Sequence, residues 1–178
     1  MKCAFLVAFL GLCPAQSATV AHGTHAAAVF QLDEAQAHPA ATPDRRKAVD
    51  DFNRQFVDGC RNMDPLVTMN LWAEDGVDLL PGMEPMVGKP AISAWQKGLQ
   101  EQMKGVKILQ CDVDWKRIEI RDEVAYEWGI NTQTVSLPDR SEPLKNEGKI
   151  TLILRRQPSG QWKLALESWN SSPRAKAQ

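Results

Sequence analysis

Apolar residues recur at helical spacing in the first half of the chain and at strand spacing in the second. Val49, Phe52, Phe56 and Cys60 follow one another by three and four, which puts them on one helical face. Thr42-Pro43-Asp44 supplies the start signal, an N-cap followed by proline at the first helical position. Asp64-Pro65 begins a second, short helix carrying Leu66, Val67, Met69 and Trp72, which is expected to stop before Asp75-Gly76. A short apolar strand and a Pro/Gly turn follow. Gly88-Lys89-Pro90 then starts a third helix with Ile92, Trp95, Leu99 and Met103 on one face and Gly105 as its C-terminal cap.

Beyond Gly105 the period changes to two. Leu109, Cys111, Val113 and Trp115 alternate, and Ile118 and Ile120 continue in the opposite phase, which predicts a bulge near Lys116-Arg117. Tyr126, Trp128 and Ile130 alternate in the next strand, and Ile150, Leu152 and Leu154 in the one after it. Pro158-Ser159-Gly160 is a tight connection into a last strand opened by Trp162. Segregated helices and strands predict an α+β fold, three helices and a short strand followed by four long antiparallel strands.

The remaining segments are read from composition. Met1-Lys2, the apolar run Cys3 to Cys13 and the small residues of Pro14-Ala15-Gln16-Ser17-Ala18 have the layout of a secretory signal peptide over 1–21. Leu10-Gly11-Leu12-Cys13 departs from a lipoprotein signal, because Leu12 is too large to precede a modified cysteine. Residues 22–41 read as a linker, and 173–178 as a tail. The domain is then 42–172, exported to a periplasm or secreted, with no membrane association after signal cleavage. All three histidines (His22, His25, His38) fall in the linker, so a Ser-His-Asp or Cys-His nucleophile system would need its base from there. Two ligands on such a segment make a poor metal site. No phosphate-binding glycine loop is present, and no cofactor is expected. A net charge of −1 and a pI of 6.3 argue against nucleic acid as a partner. Cys60 and Cys111 remain after signal removal, either as one disulfide or as two buried thiols.

Four stretches in this order resemble the nuclear transport factor 2-like superfamily, in its ketosteroid-isomerase-like and SnoaL-like bacterial branch. They are Trp72 to Gly82, Val87 to Ile92, Asp122 to Gly129, and Glu147-Gly148-Lys149 onward to Asn170. The resemblance implies a cone-shaped, curved antiparallel sheet wrapped around three N-terminal helices, the cystatin-like roll, with a pocket at the wide end. It implies homodimers through the outer sheet face, and a first helix that packs across the sheet, bringing Cys60 near Cys111. It implies no single activity, because this fold carries many.

The isomerase's three catalytic positions fall on Leu79 or Leu80, on Phe56 and on Leu152. None of these can move a proton or donate to an oxyanion. The resemblance directs Tyr126, Trp128, Ile130 and Thr132, then Ile150, Leu152 and Leu154, then Ala165, Glu167 and Trp169, into the cup, with Trp72 and Trp95 closing the helical side. Such a cup suits a small hydrophobic or aromatic molecule. Glu167, between apolar neighbours, is the candidate acid/base, and the alternative is a structural carboxylate paired with Lys149 or Arg155 or bonded to a Trp N–H. Asp78, Asp112 and Asp114 are further acids near the mouth. Three readings follow: an exported small-molecule-binding domain without established catalysis, a cofactor-free isomerase, cyclase or dehydratase using Glu167, or a dimeric interaction module.

Overall fold

A computed structural model of the chain describes residues 42–172. The expected signal peptide, the linker with its histidines, and the tail lie outside the described residues. The elements are α1 (Pro43–Asn62), α2 (Pro65–Leu71), β1 (Trp72–Leu79), β2 (Met86–Val87), α3 (Lys89–Gln102), β3 (Lys107–Arg121), β4 (Val124–Ser136), β5 (Leu144–Arg156) and β6 (Trp162–Ser171). The class is α+β. No helix among the described residues is long and apolar enough to cross a membrane.

The helix starts follow the sequence signals. The Thr42 hydroxyl accepts from the Arg45 N–H at 3.4 Å. The Asp64 carboxylate accepts from the N–H groups of Leu66 and Val67 at 2.9 and 3.2 Å. α3 begins after Gly88, whose φ of 86° suits glycine, and its N–H bonds to the Gly76 carbonyl at 2.8 Å. Trp72 corrects the sequence expectation. It turns extended (φ −74°, ψ 138°) and opens β1 instead of closing the second helix.

The six strands form one sheet in the order β2-β1-β6-β5-β4-β3. Neighbours are antiparallel except β1 and β6, which run parallel with Asp78 opposite Glu167. Four breaks in register set which side chains face the helices, one of them in β1 between Trp72 and Val77. On β3, Leu109 and Lys116 are unpaired, the second at the expected bulge. Leu109 is therefore exposed, where simple alternation placed it beside Cys111. On β6, Ala165 is unpaired between Leu164 and Leu166, so the inward phase passes from Trp162 and Leu164 to Glu167 and Trp169. Ala165 is thus spent on the bulge and does not enter the cup.

The core lies between the inner sheet face and the helices. Val49 and Phe52 of α1 and Ile92 of α3 pack with Ile150, Leu152, Leu154, Trp162 and Leu164. Cys60, in the last turn of α1, is bonded to Cys111 of β3, and the Cα atoms are 6.3 Å apart. The bridge ties the helix to the sheet where the pocket opens. Arg61 adds to the same junction by donating to the Cys111 carbonyl at 2.9 Å and pairing with Asp112.

The phase of β4 is opposite to the expected one. Its inward residues are Ala125, Glu127, Gly129, Asn131 and Gln133, whereas Tyr126 and Trp128 are 37 % and 42 % exposed on the outer face. Cross-strand partners fix this assignment, because residues directly opposite share a face. Ala125 and Glu127 oppose the core residues Leu154 and Leu152, while Tyr126 and Trp128 oppose Ile153 and Thr151. Indoles would not fit at Gly129, where a Cβ would already come within 2.6 Å of the Asp114 carbonyl.

Glu127 is consequently buried beneath α1 at zero exposure. The Asn53 side-chain amide donates to its Oε2 at 2.8 Å, and Glu127 Oε1 and Asn53 Oδ1 have no partner among the described residues. Burial pushes the Glu127 carboxyl up to about 7, against the Asn53 hydrogen bond, which lowers it. A proton on Oε1 makes that oxygen a donor, with Asn53 Oδ1 as the unpartnered acceptor on the same amide.

Two outcomes are expected. The disulfide closes a loop with a sequence separation of 51. Reduction or paired Cys→Ser substitution should cost about 4 kcal/mol by chain entropy, read from denaturant unfolding with and without reductant. Identical unfolding midpoints would contradict the tether. For Glu127, a raised folded-state pKa means the native state binds the extra proton, so this stability is full at low pH. It is lost as pH rises from the usual glutamate value through about 7. Glu127→Gln keeps an amide to face Asn53 and should flatten that part of the profile. It should gain on the order of 1–3 kcal/mol at mildly alkaline pH, and a loss of stability there would contradict the protonated assignment.

Candidate functional site

The wide end of the cone holds a cavity of about 180 Å³. Its walls come from every layer. α1 contributes Phe56, Gly59 and Cys60, and α3 contributes Trp95, Gln96 and Leu99. The sheet contributes Trp72 and Asp78 from β1, Asn131 and Gln133 from β4, Ile150 from β5, and Glu167 and Trp169 from β6. No Lys, Arg or His is among the lining residues.

Glycines permit two of the indoles. At Gly76 a Cβ would meet the Trp72 ring at 2.7 Å, and at Gly148 it would meet Trp169 Nε1 at 2.8 Å. Each strand thus offers a flat place on which an indole can lie.

Of the residues singled out in the sequence, Phe56, Trp72, Trp95, Glu167 and Trp169 line this cavity, together with the bonded Cys60 and Cys111. Others are elsewhere. Tyr126, Trp128, Ile130 and Thr132 belong to the opposite face of β4. There Tyr126 bonds to Glu119 and holds that carboxyl below its usual range, with help from Arg117 and Arg121. Leu152 lies in the core at zero exposure and is not at the cavity wall. Leu79 points the other way, and Leu80 lines the cavity in its place. Asp112 and Asp114 are solvated and pair with Arg61 and Lys116.

Asp78 is the site residue that the sequence treated only as a mouth acid. The inward phase of β1 runs through Gly76, Asp78 and Leu80, and Asp78 is only 3 % exposed. Parallel pairing sets it opposite Glu167, with both side chains facing the cavity. The alternation Gly76-x-Asp78-x-Leu80 was the signal available in the sequence. It was hidden because Val77 and Leu79 look like the buried phase.

The electrostatics follow from that placement. Burial pushes Asp78 up to about 7, against a hydrogen bond from the Leu79 N–H that lowers it. Burial drives Glu167 well above the usual glutamate range, and the charge of Asp78 adds to the shift. Three structural partners were open to Glu167: Arg155, Lys149 and a Trp N–H. Arg155 pairs with Asp75, Lys149 is exposed, and Trp169 Nε1 makes no hydrogen bond among the described residues. Two acids in an apolar wall without a counter-cation retain protons near neutral pH, which makes them able to give or take one.

No family model and no curated protein matches the chain. Solved structures do. A ketosteroid isomerase-like protein from Erwinia carotovora atroseptica superposes with a TM-score of 0.63 at 16% identity, covering 74% of this chain and 99% of its own. A conserved protein from Planctomyces limnophilus gives a TM-score of 0.62 at 23% identity, covering 72% and 98%. A nuclear transport factor 2-like protein with a cystatin-like fold from Novosphingobium aromaticivorans gives 0.56 at 15% identity, covering 75% and 85%. At such identities the likeness is one of architecture, and it shows that this chain has the nuclear transport factor 2-like fold.

Proposed function

We propose that the domain binds one small, largely apolar molecule in the cavity, and that Asp78 and Glu167 exchange a proton with it. The observation that carries this reading is the pairing of two carboxyls, the buried Asp78 and the half-buried Glu167, opposite each other in register at the wall of a largely apolar pocket without a cation. Apolar clefts with a few convergent polar groups are the usual form of a small-molecule site. Proton-holding pairs are the usual form of a general acid/base. The acid/base role thus falls to the pair, and not to Glu167 alone. Export is part of the proposal, supported by the Cys60–Cys111 bond, which persists in oxidising compartments. Non-reducing peptide mapping of the native protein tests it, since two free thiols would remove that support.

The binding half is tested with a neutral one-ring probe, 4-fluorotoluene, followed by fluorine NMR. The wild type should give saturable, single-site broadening. Leu99→Trp, which adds an indole at the α3 wall, should weaken binding by about tenfold or more without loss of the folded spectrum. Absence of saturable binding, or equal binding by the filled variant, would contradict the pocket assignment.

A further inference from the structure

The hydrogen-bonding balance of the cavity is lopsided toward acceptors. Among the described residues, Asp78 Oδ1 and Gln96 Oε1 are buried there without a partner. Glu167 adds a second carboxyl beside Asp78. Trp169 Nε1 is an unpartnered donor at the same wall. With the carboxyls ionised, a ligand that completes this set must bring more N–H or O–H groups than acceptors. Aromatic side chains also line the cavity, Trp72 from β1, Phe56 from α1 and Trp95 from α3. Ring faces and carboxylates together attract one class of small molecule, the organic cation. The ring quadrupole draws positive charge, and each carboxylate takes a charge-assisted hydrogen bond.

We propose that the pocket takes a small organic amine in its protonated form, with the ammonium group between Asp78 and Glu167 and the apolar body against Trp72, Trp95 and Phe56. The inference rests on the small-molecule reading above and names its ligand class. Size agrees with it. A dry cavity of roughly 150 Å³ accepts benzene, so about 180 Å³ suits one ring with a short chain. An anion would meet two acids and no cation. A neutral molecule would leave the pair dependent on its own protons.

Binding then exchanges charge for charge. An ammonium group enters between the carboxyls, and a proton leaves the pair for solvent, so affinity rises with pH. The charged groups facing the ammonium position are Asp78 from β1 and Glu167 from β6. Asp64, before α2, also lines the cavity, but its carboxylate is engaged by the Leu66 and Val67 N–H groups. α3 and β4 present the neutral amides of Gln96, Gln100, Asn131 and Gln133, so no protein cation competes.

The test compares phenethylamine with its neutral counterpart 2-phenylethanol by titration calorimetry on the exported protein. At about pH 8 the amine should bind at least tenfold tighter than the alcohol, and its affinity should fall about tenfold by about pH 6 while the alcohol's stays flat. Heats measured in two buffers of different ionisation enthalpy should show proton release with the amine only. Asp78→Asn and Glu167→Gln should each reduce the amine-to-alcohol ratio to about threefold or less. The wild-type pH and buffer measurements decide the matter even if a variant does not fold. Equal affinities, an amine affinity insensitive to pH, or no binding of either compound would each overturn the proposal. Should the amine fail while 4-fluorotoluene still binds, the ligand class is wrong and the pocket reading stands. Should 4-fluorotoluene fail as well, the pocket reading itself is wrong.

Discussion

Desolvation of Asp78 and Glu167 on neighbouring parallel strands is the constraint around which the cavity is organised. A parallel seam between β1 and β6 sets the two residues opposite one another, and the inward phase of each strand brings both to the cavity wall. Water would separate two such charges. An apolar wall does not, so the pair keeps protons or recruits a cation. The aromatic rings around the acids keep the site apolar, and the same desolvation makes any proton moved there effective.

That arrangement depends on irregularities more than on regular alternation. The break in β1 between Trp72 and Val77 lets both Trp72 and Asp78 serve the interior. Ala165, unpaired in β6, switches the inward phase so that Leu164 enters the core and Glu167 enters the cavity. Gly76 and Gly148 leave room for the indoles of Trp72 and Trp169. The Cys60–Cys111 bond then holds α1 to β3 at the cavity rim, so the pocket's shape does not rest on side-chain packing alone.

Much of the fold was readable in advance because helix caps and strand alternation are local. Thr42-Pro43, Asp64-Pro65 and Gly88-Lys89-Pro90 start helices where the caps are found, and the phase slip at Lys116 was visible as a change in which residues are apolar. The site was less legible for the same reason. Tyr126 and Trp128 look like interior residues, yet close packing at Ala125 and Gly129 sends the small residues and Glu127 inward. Hydrophobicity alone assigns the phase of β4 wrongly. The hairpin register with β5 assigns it correctly, and register is a tertiary fact. Likewise Asp78 reads as a surface acid until its neighbour across the sheet is known, because nothing local couples it to a residue 89 positions away.

In the proposed function Asp78 and Glu167 form a desolvated, proton-retaining pair, and carboxyl-carbon NMR against pH measures it directly. Asp78 should titrate at about 7 and Glu167 well above the ordinary glutamate range, with Asp78→Asn lowering the Glu167 midpoint by removing the like charge. Both groups titrating independently at ordinary values of about 4 would contradict it.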